Sequence, residues 1–246
     1  MKVITLGHTQ ISEDFLNYIV ESQAKDIILS EFYDFQPGVS DGVLIALAAI
    51  RECYSYKTAL EVIETESKKY LGDGQKEQFR LFNHIIKSGH TSTMEHTHFT
   101  FAVEGVSRAL LAQLTRHRHL SFSVQSQRYN KFSSDSRSGG FDYVVPNTVE
   151  TYAQVVTFNE SMKAIQGMYD ALIACGLPQE DARAVLPNAA CVNLVVSGNL
   201  RAWLEFYKKR KPGAGGQFEI TQFAEHIKNE IIKVEPWVLD YFEMEE

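Results

Sequence analysis

Arg116, His117, Arg118 and His119 are consecutive in this chain, and Ser121, Ser123, Gln125, Ser126, Gln127 and Arg128 follow them closely. Side chains of these types at this density could coat a nucleic-acid backbone, form a solvated basic face, serve a metal or hydrolase site, or cradle a small phosphorylated ligand. From Gly105 to Ser134 there is no Asp or Glu, yet Arg108, Arg116, Arg118, Arg128 and Lys131 are present. A second cationic stretch contains Arg183, Arg201 and the run Lys208-Lys209-Arg210-Lys211, with Glu205 its sole acid. The whole chain nonetheless carries a formal net charge of -7. Surface charges are normally interspersed, so segregated cations in an acidic protein point to anion sites. Arginine suits that task because its planar fork bonds phosphate bidentately and keeps its charge.

The competing chemistries are weaker. A sequence pI near 5.7 argues against general nucleic-acid binding, although Phe122 and Tyr129 could serve a single-strand binder as stacking platforms. His96-x-His98 and His117-x-His119 resemble metal pairs, but no acidic or cysteine ligands accompany them at motif spacing, so no metal is expected. There is no GxSxG elbow, no GxGxxG and no GxxxxGK[ST]; the "GDG" at 72–74 reads as a turn. A nucleotide-type ligand must therefore bind outside the Rossmann and P-loop solutions.

The elements that position these residues are mostly helical. Residues 1–6 read as an edge strand, and 41–53 as a helix with Asp41 its N-cap. Glu77 to Lys87 places Phe79, Phe82, Ile85 and Ile86 at helical spacing before Ser88-Gly89. Residues 98–106 alternate as a strand, and Ser107 caps a short helix, "RALLAQLTR", whose face carries Gln113 and Arg116. If 116–118 is extended, His117 points away from its two arginines. Leu120, Phe122 and Val124 then alternate with Ser121, Ser123 and Gln125, pinning one face and presenting polar groups on the other. Residues 131–140 read as the mobile loop. A long helix from about Val149 to Cys175 follows, then a short one ending at Leu186-Pro187. Beyond these come a strand over 191–198, a helix opened by Asn199, the breaker "PGAGG" and a helix from Phe218 to Val234. Helices dominate, with no βαβ rhythm, so the fold class is α+β.

With 246 residues and 44% hydrophobic content, the chain can bury a core without staples. A single domain over 1–246 is expected. Cys53, Cys175 and Cys191 show no paired spacing and read as thiols in a reducing compartment. "MKVITLGHTQ" does not read as a signal peptide. The longest apolar run, at 43–50, is far short of the roughly 18 residues of a membrane span. A soluble, cytoplasmic protein without nucleic-acid or membrane partners is expected.

The motifs also carry a family resemblance. Arg116-His117-Arg118, then seven residues and Ser126, then Gln127-Arg128-Tyr129, resembles the signature of the flavin-dependent thymidylate synthases. "SGHTSTMEH" (88–96), "ARAVLP" (182–187), "SGNLRAW" (197–203), Arg210 and "QFEI" (217–220) fall in the family's order, while 1–75 is a divergent N-terminal part. The resemblance implies an α+β single domain of mixed helices with a small, antiparallel-rich sheet. It implies a homotetramer with FAD bound between subunits, and methylation of dUMP to dTMP. Methylenetetrahydrofolate would be the carbon donor and NADPH the reductant of the flavin. By similarity, Gln113, Arg116, Ser126, Gln127, Arg128 and Arg183 would hold dUMP, with Ser126 in a positioning role. Arg210 would sit at the uracil as the catalytic cation. His90, Ser92, Arg116, His117, Arg118, Asn199 and Arg201 would contact FAD. The absence of a motif cysteine agrees with electrostatic rather than covalent activation of the pyrimidine. The chain departs from the pattern at Val124-Gln125, at Glu205 and in a loop between Arg210 and Gln217 that is one residue longer.

Overall fold

The computed structural model describes residues 1–21, 40–71 and 76–243. The "GDG" segment lies outside them. Four strands, β1 (Lys2–His8), β2 (His98–Ser107), β3 (Ser121–Val124) and β4 (Cys191–Asn199), form one sheet in the order β1-β2-β4-β3. The first strand is thus at an edge, as its sequence suggested. Phe99, Phe101 and Val103 are buried on β2, as are Val192, Leu194 and Val196 on β4. This period of two is the one a half-covered sheet requires. At the other edge β3 runs antiparallel to β4, pairing Phe122 with Val196 and Val124 with Leu194.

The chain divides into two compact units. The first comprises Met1–Ile4, Phe101–Ser197 and Lys209–His226. It contains α1 (Arg108–Leu114), α2 (Tyr152–Ala174), α3 (Gln179–Ala182) with the 3-10 turn Arg183–Val185, and the start of α4 (Phe218–Val234). Ser107 caps α1 by accepting from Leu110 N at 3.0 Å. Thr151 and Gln154 form a reciprocal capping box on α2. Gly176, with φ 87°, turns the chain out of that helix as the sequence anticipated. The loop 131–140 is irregular, but its contacts anchor it. Phe132 is buried with Tyr169 and Ala182, and Asp170 accepts from Ser134 N at 3.0 Å and Ser134 Oγ at 2.8 Å.

The second unit comprises Thr5–Thr100, Gly198–Lys208 and Ile227–Glu246. It holds α5 (Glu13–Glu21), α6 (Asp41–Tyr54), α7 (Ala59–Leu71), α8 (Lys76–Lys87), the 3-10 turn Thr91–His96 and most of α9 (Leu200–Arg210). Val43, Leu44, Leu47, Ile50, Phe82 and Trp203 make up much of its buried interior. Asp41 is not the N-cap of α6. That position is Ser40, which makes no local side-chain cap, while Asp41 accepts from Ile11 N at 3.1 Å. The helix start is satisfied from far along the chain. Glu235 accepts from Ser40 Oγ, from Gly42 N at 3.1 Å and from Trp237 Nε1 at 2.5 Å. Its carboxylate leaves no room for a Cβ at position 42, which accounts for the glycine. No described helix is long and apolar enough to cross a membrane.

Candidate functional site

The cationic segment leaves α1 through a tight turn, not an extended strand. The helix ends at Leu114; His117 N then donates to Leu114 O at 3.0 Å and Leu120 N to His117 O at 3.2 Å. Arg116 therefore lies past the helix end, and the single helical face expected for Gln113 and Arg116 does not form. Backbone bonding between residues so close in sequence outweighs the alternation read there. The separation expected within the motif survives by a different route. Leu114 and Leu120 are buried and pin the turn, Arg116, Arg118 and His119 are exposed, and His117 is half-buried.

Arg210, the last residue of α9, meets that imidazole: its Nε donates to His117 Nε2 at 3.2 Å. Burial pushes the ring's pKa down to about 4, helped by the charges of Arg210, Lys209 and Arg116. His117 is thus neutral at pH 7. Gln113, on α1, donates through Nε2 to Gln217 Oε1 at 2.7 Å, joining two of the motif segments.

Of the predicted dUMP residues, Gln127 and Arg183 line a cavity of about 620 Å³, together with Arg108, Glu180, Asp181 and Asn188. Ser126 Oγ accepts from Arg128 N at 3.1 Å, and Ser126 O from Asn130 Nδ2 at 2.7 Å. Its hydroxyl shapes a turn. Gln127 is 6% exposed. Helix α3 is tied to this turn: Arg128 Nε donates to Glu180 Oε2 at 2.8 Å, Gln179 Nε2 to Arg128 O, and Arg183 Nε to Glu180 O at 3.0 Å. A segment without acids in sequence thereby acquires one in space.

Arg108 is the cavity residue the motif comparison passed over. Among the described residues no carboxylate pairs with it. Burial, then the charge of Arg183, lowers its guanidinium below the ordinary value. Two cations held that close favour an anion between them. The signal for Arg108 was its place in the acid-free run.

The other residues expected at FAD belong to the second unit. His90 follows Gly89, whose φ is 78°, and is exposed with its ring 5.6 Å from that of Tyr54. Ser92 is exposed on the 3-10 turn. Asn199 caps α9 by accepting from Ala202 N at 2.8 Å, which leaves its amide as a donor. Arg201 is clamped by two carboxylates, Glu95 at 2.6 Å and Glu205 at 3.2 Å. Glu95 first, and Glu205 after it, raise its hold on its charge. The departure at Glu205 therefore has a definite partner. Cys53 and Cys175 are exposed and Cys191 is half-buried; burial pushes the Cys191 thiol up to about 11, so it is no thiolate at neutral pH.

Fold and site together define an α+β protein with a cavity lined by the cations Arg108 and Arg183 and by the carboxylates Glu180 and Asp181. The family model described as thymidylate synthase complementing protein matches residues 40–237. The flavin-dependent thymidylate synthase of Geobacter sulfurreducens is 41% identical over 167 residues, covering 68% of this chain and 67% of the relative. That of Haloarcula marismortui is 31% identical over 224 residues, covering 82% and 90%. The chain belongs to the flavin-dependent thymidylate synthase family. Its fold is also that of the Helicobacter pylori enzyme ThyX solved in complex with FAD and dUMP, with a TM-score of 0.65 at 20% identity over 99% of this chain and 98% of the other.

Proposed function

We propose that this protein is a flavin-dependent thymidylate synthase: it methylates dUMP to dTMP with methylenetetrahydrofolate as carbon donor and NADPH as reductant of FAD, within a homotetramer. The observation that carries the reading is the cavity that Arg108, Arg183 and the buried Gln127 line together. Such a set suits a phosphate and a polar base better than a nucleic-acid backbone, which needs an open stripe.

The donors present fit the flavin cofactor. Among the described residues no carboxylate pairs with Arg116 or Arg118, so both offer complete forks to a diphosphate. Ser92, the Asn199 amide, Arg201, His90 and His117 would contribute the remaining contacts. Bound there, FAD would supply the hydride that completes the methyl group. Gln113, Arg116, Ser126, Gln127, Arg128 and Arg183 orient dUMP, and Arg108, which lines the same cavity as Gln127 and Arg183, joins them. Arg210 places positive charge at the pyrimidine, stabilising the negative charge that develops as the ring attacks the one-carbon unit. A raised, half-buried Cys191 and two exposed thiols offer no positioned nucleophile.

Purified protein is expected to carry flavin and to form dTMP from dUMP when given NADPH and methylenetetrahydrofolate. Bound FAD without product would overturn the catalytic part of the proposal. The carboxylate of Glu180 competes with phosphate for Arg128, so Glu180→Gln should tighten dUMP binding roughly three- to tenfold, about 1 kcal/mol. Calorimetric titration checks this. Weaker binding in the variant would mean that Glu180 itself bonds the ligand.

A further inference from the structure

Three of the chain's arginines are held by side chains of different kinds. Arg128 is paired with the carboxylate of Glu180, and Arg201 with those of Glu95 and Glu205. Arg210 is held by an imidazole instead, Nε to Nε2 of His117 at 3.2 Å. An arginine Nε carries hydrogen and can only donate, so His117 Nε2 must present its lone pair. The ring is therefore the neutral tautomer with its proton on Nδ1. Two backbone hydrogen bonds, from His117 N to Leu114 O and from Leu120 N to His117 O, fix where that ring stands.

From this geometry we infer that His117 is a positioning residue for Arg210, orienting the guanidinium without cancelling its charge. The inference rests on the reading of Arg210 as the cation at the uracil, and deepens it. With Nε engaged, Arg210 meets a ligand end-on, through its two terminal nitrogens, which form the fork that bonds planar acceptors. A carboxylate in place of His117 would orient the guanidinium equally well but neutralise it, as happens at Arg201. A neutral imidazole supplies the acceptor and leaves the full positive charge for the pyrimidine. Burial disfavours a charge on this half-buried ring, and so do three cations, Arg210 and Lys209 from α9 and Arg116 from the turn itself. Protonating His117 would set donor against donor and cation against cation.

The test combines a spectroscopic and a kinetic measurement on the intact, FAD-loaded protein. In ¹⁵N-histidine spectra, His117 should show an unprotonated Nε2 at pH 7 and a titration midpoint near 4. In Arg210→Gln that midpoint should move toward the ordinary histidine value of about 6.5. For turnover, His117→Phe, which cannot accept, should lower kcat roughly a hundredfold with the KM for dUMP changed less than threefold. His117→Gln, whose amide oxygen can accept, should recover part of that loss.

A protonated Nε2 at pH 7, or a midpoint indifferent to Arg210→Gln, overturns the proposal. So does a His117→Phe variant that turns over like wild type once FAD is restored to saturation, which would make His117 a flavin contact only. Failure of the wild-type protein to form dTMP would instead remove the enzymatic reading, with the spectra still deciding whether the His117–Arg210 pair exists.

Discussion

Replacing Arg210 with alanine is expected to lower dTMP formation about a thousandfold while FAD remains bound. The magnitude is that of removing one charged donor aimed at developing negative charge in a site shielded from water. Lys209 and Lys211 keep the local charge positive after the change, so general attraction for the nucleotide should largely persist. What disappears is a fork held at one angle. Arg210→Lys tests that distinction, because lysine restores charge but has neither the Nε donor for His117 nor two coplanar terminal nitrogens. It should recover less than a tenth of wild-type turnover. Turnover and flavin absorbance, measured on the same preparations, check both variants. An alanine variant with normal turnover would remove Arg210 from the chemistry, and one stripped of flavin would reassign it to cofactor binding.

The second large effect concerns stability. Glu235→Ala is expected to cost about 3–5 kcal/mol, because it strands buried donors on Ser40, Gly42 and Trp237 that this one carboxylate satisfies. Urea denaturation of wild type and variant measures the difference, and a loss below about 1 kcal/mol would mean that water replaces the carboxylate. The pH dependence has a definite sign. Burial raises the Glu235 carboxyl above its ordinary value, against the pull of its three donors. The folded state therefore holds that proton more tightly than the unfolded chain. The stability linked to Glu235 is complete in acid and declines as pH rises from the usual carboxyl range through the raised value. His117 acts oppositely. Its depressed pKa makes stability complete above about 6.5 and lost as pH falls toward 4.

Much of the architecture was legible because it depends on neighbours within a few residues. The cap at Ser107, the end of the long helix at Gly176 and the span of Phe218–Val234 follow from periodicity and local hydrogen bonding. The same is true of the alternation in β3, where Ser121 and Ser123 are exposed and Phe122 and Val124 are half-buried. The cationic character of the site was legible as well, since a long acid-free run in an acidic chain is a property of composition. Local reading failed where two local rules competed. At 116–120 the turn bonds prevailed over extension, and at Asp41 a distant carboxylate replaced the expected cap.

Residue order alone thus marked where the cations are segregated and most of the helices and strands that carry them. Only the tertiary structure decided how each charge is used. Arg128 and Glu180 are 52 positions apart, Arg201 and Glu95 are 106 apart, and His117 and Arg210 are 93 apart. A hydrogen bond needs its two atoms within about 3.5 Å of each other, at an angle set by both backbones. No local pattern encodes that meeting; packing of the intervening chain does. Charge sign and helical period are carried by single residues and their near neighbours, whereas the partner that tempers, cancels or aims a charge arrives only when the chain closes on itself.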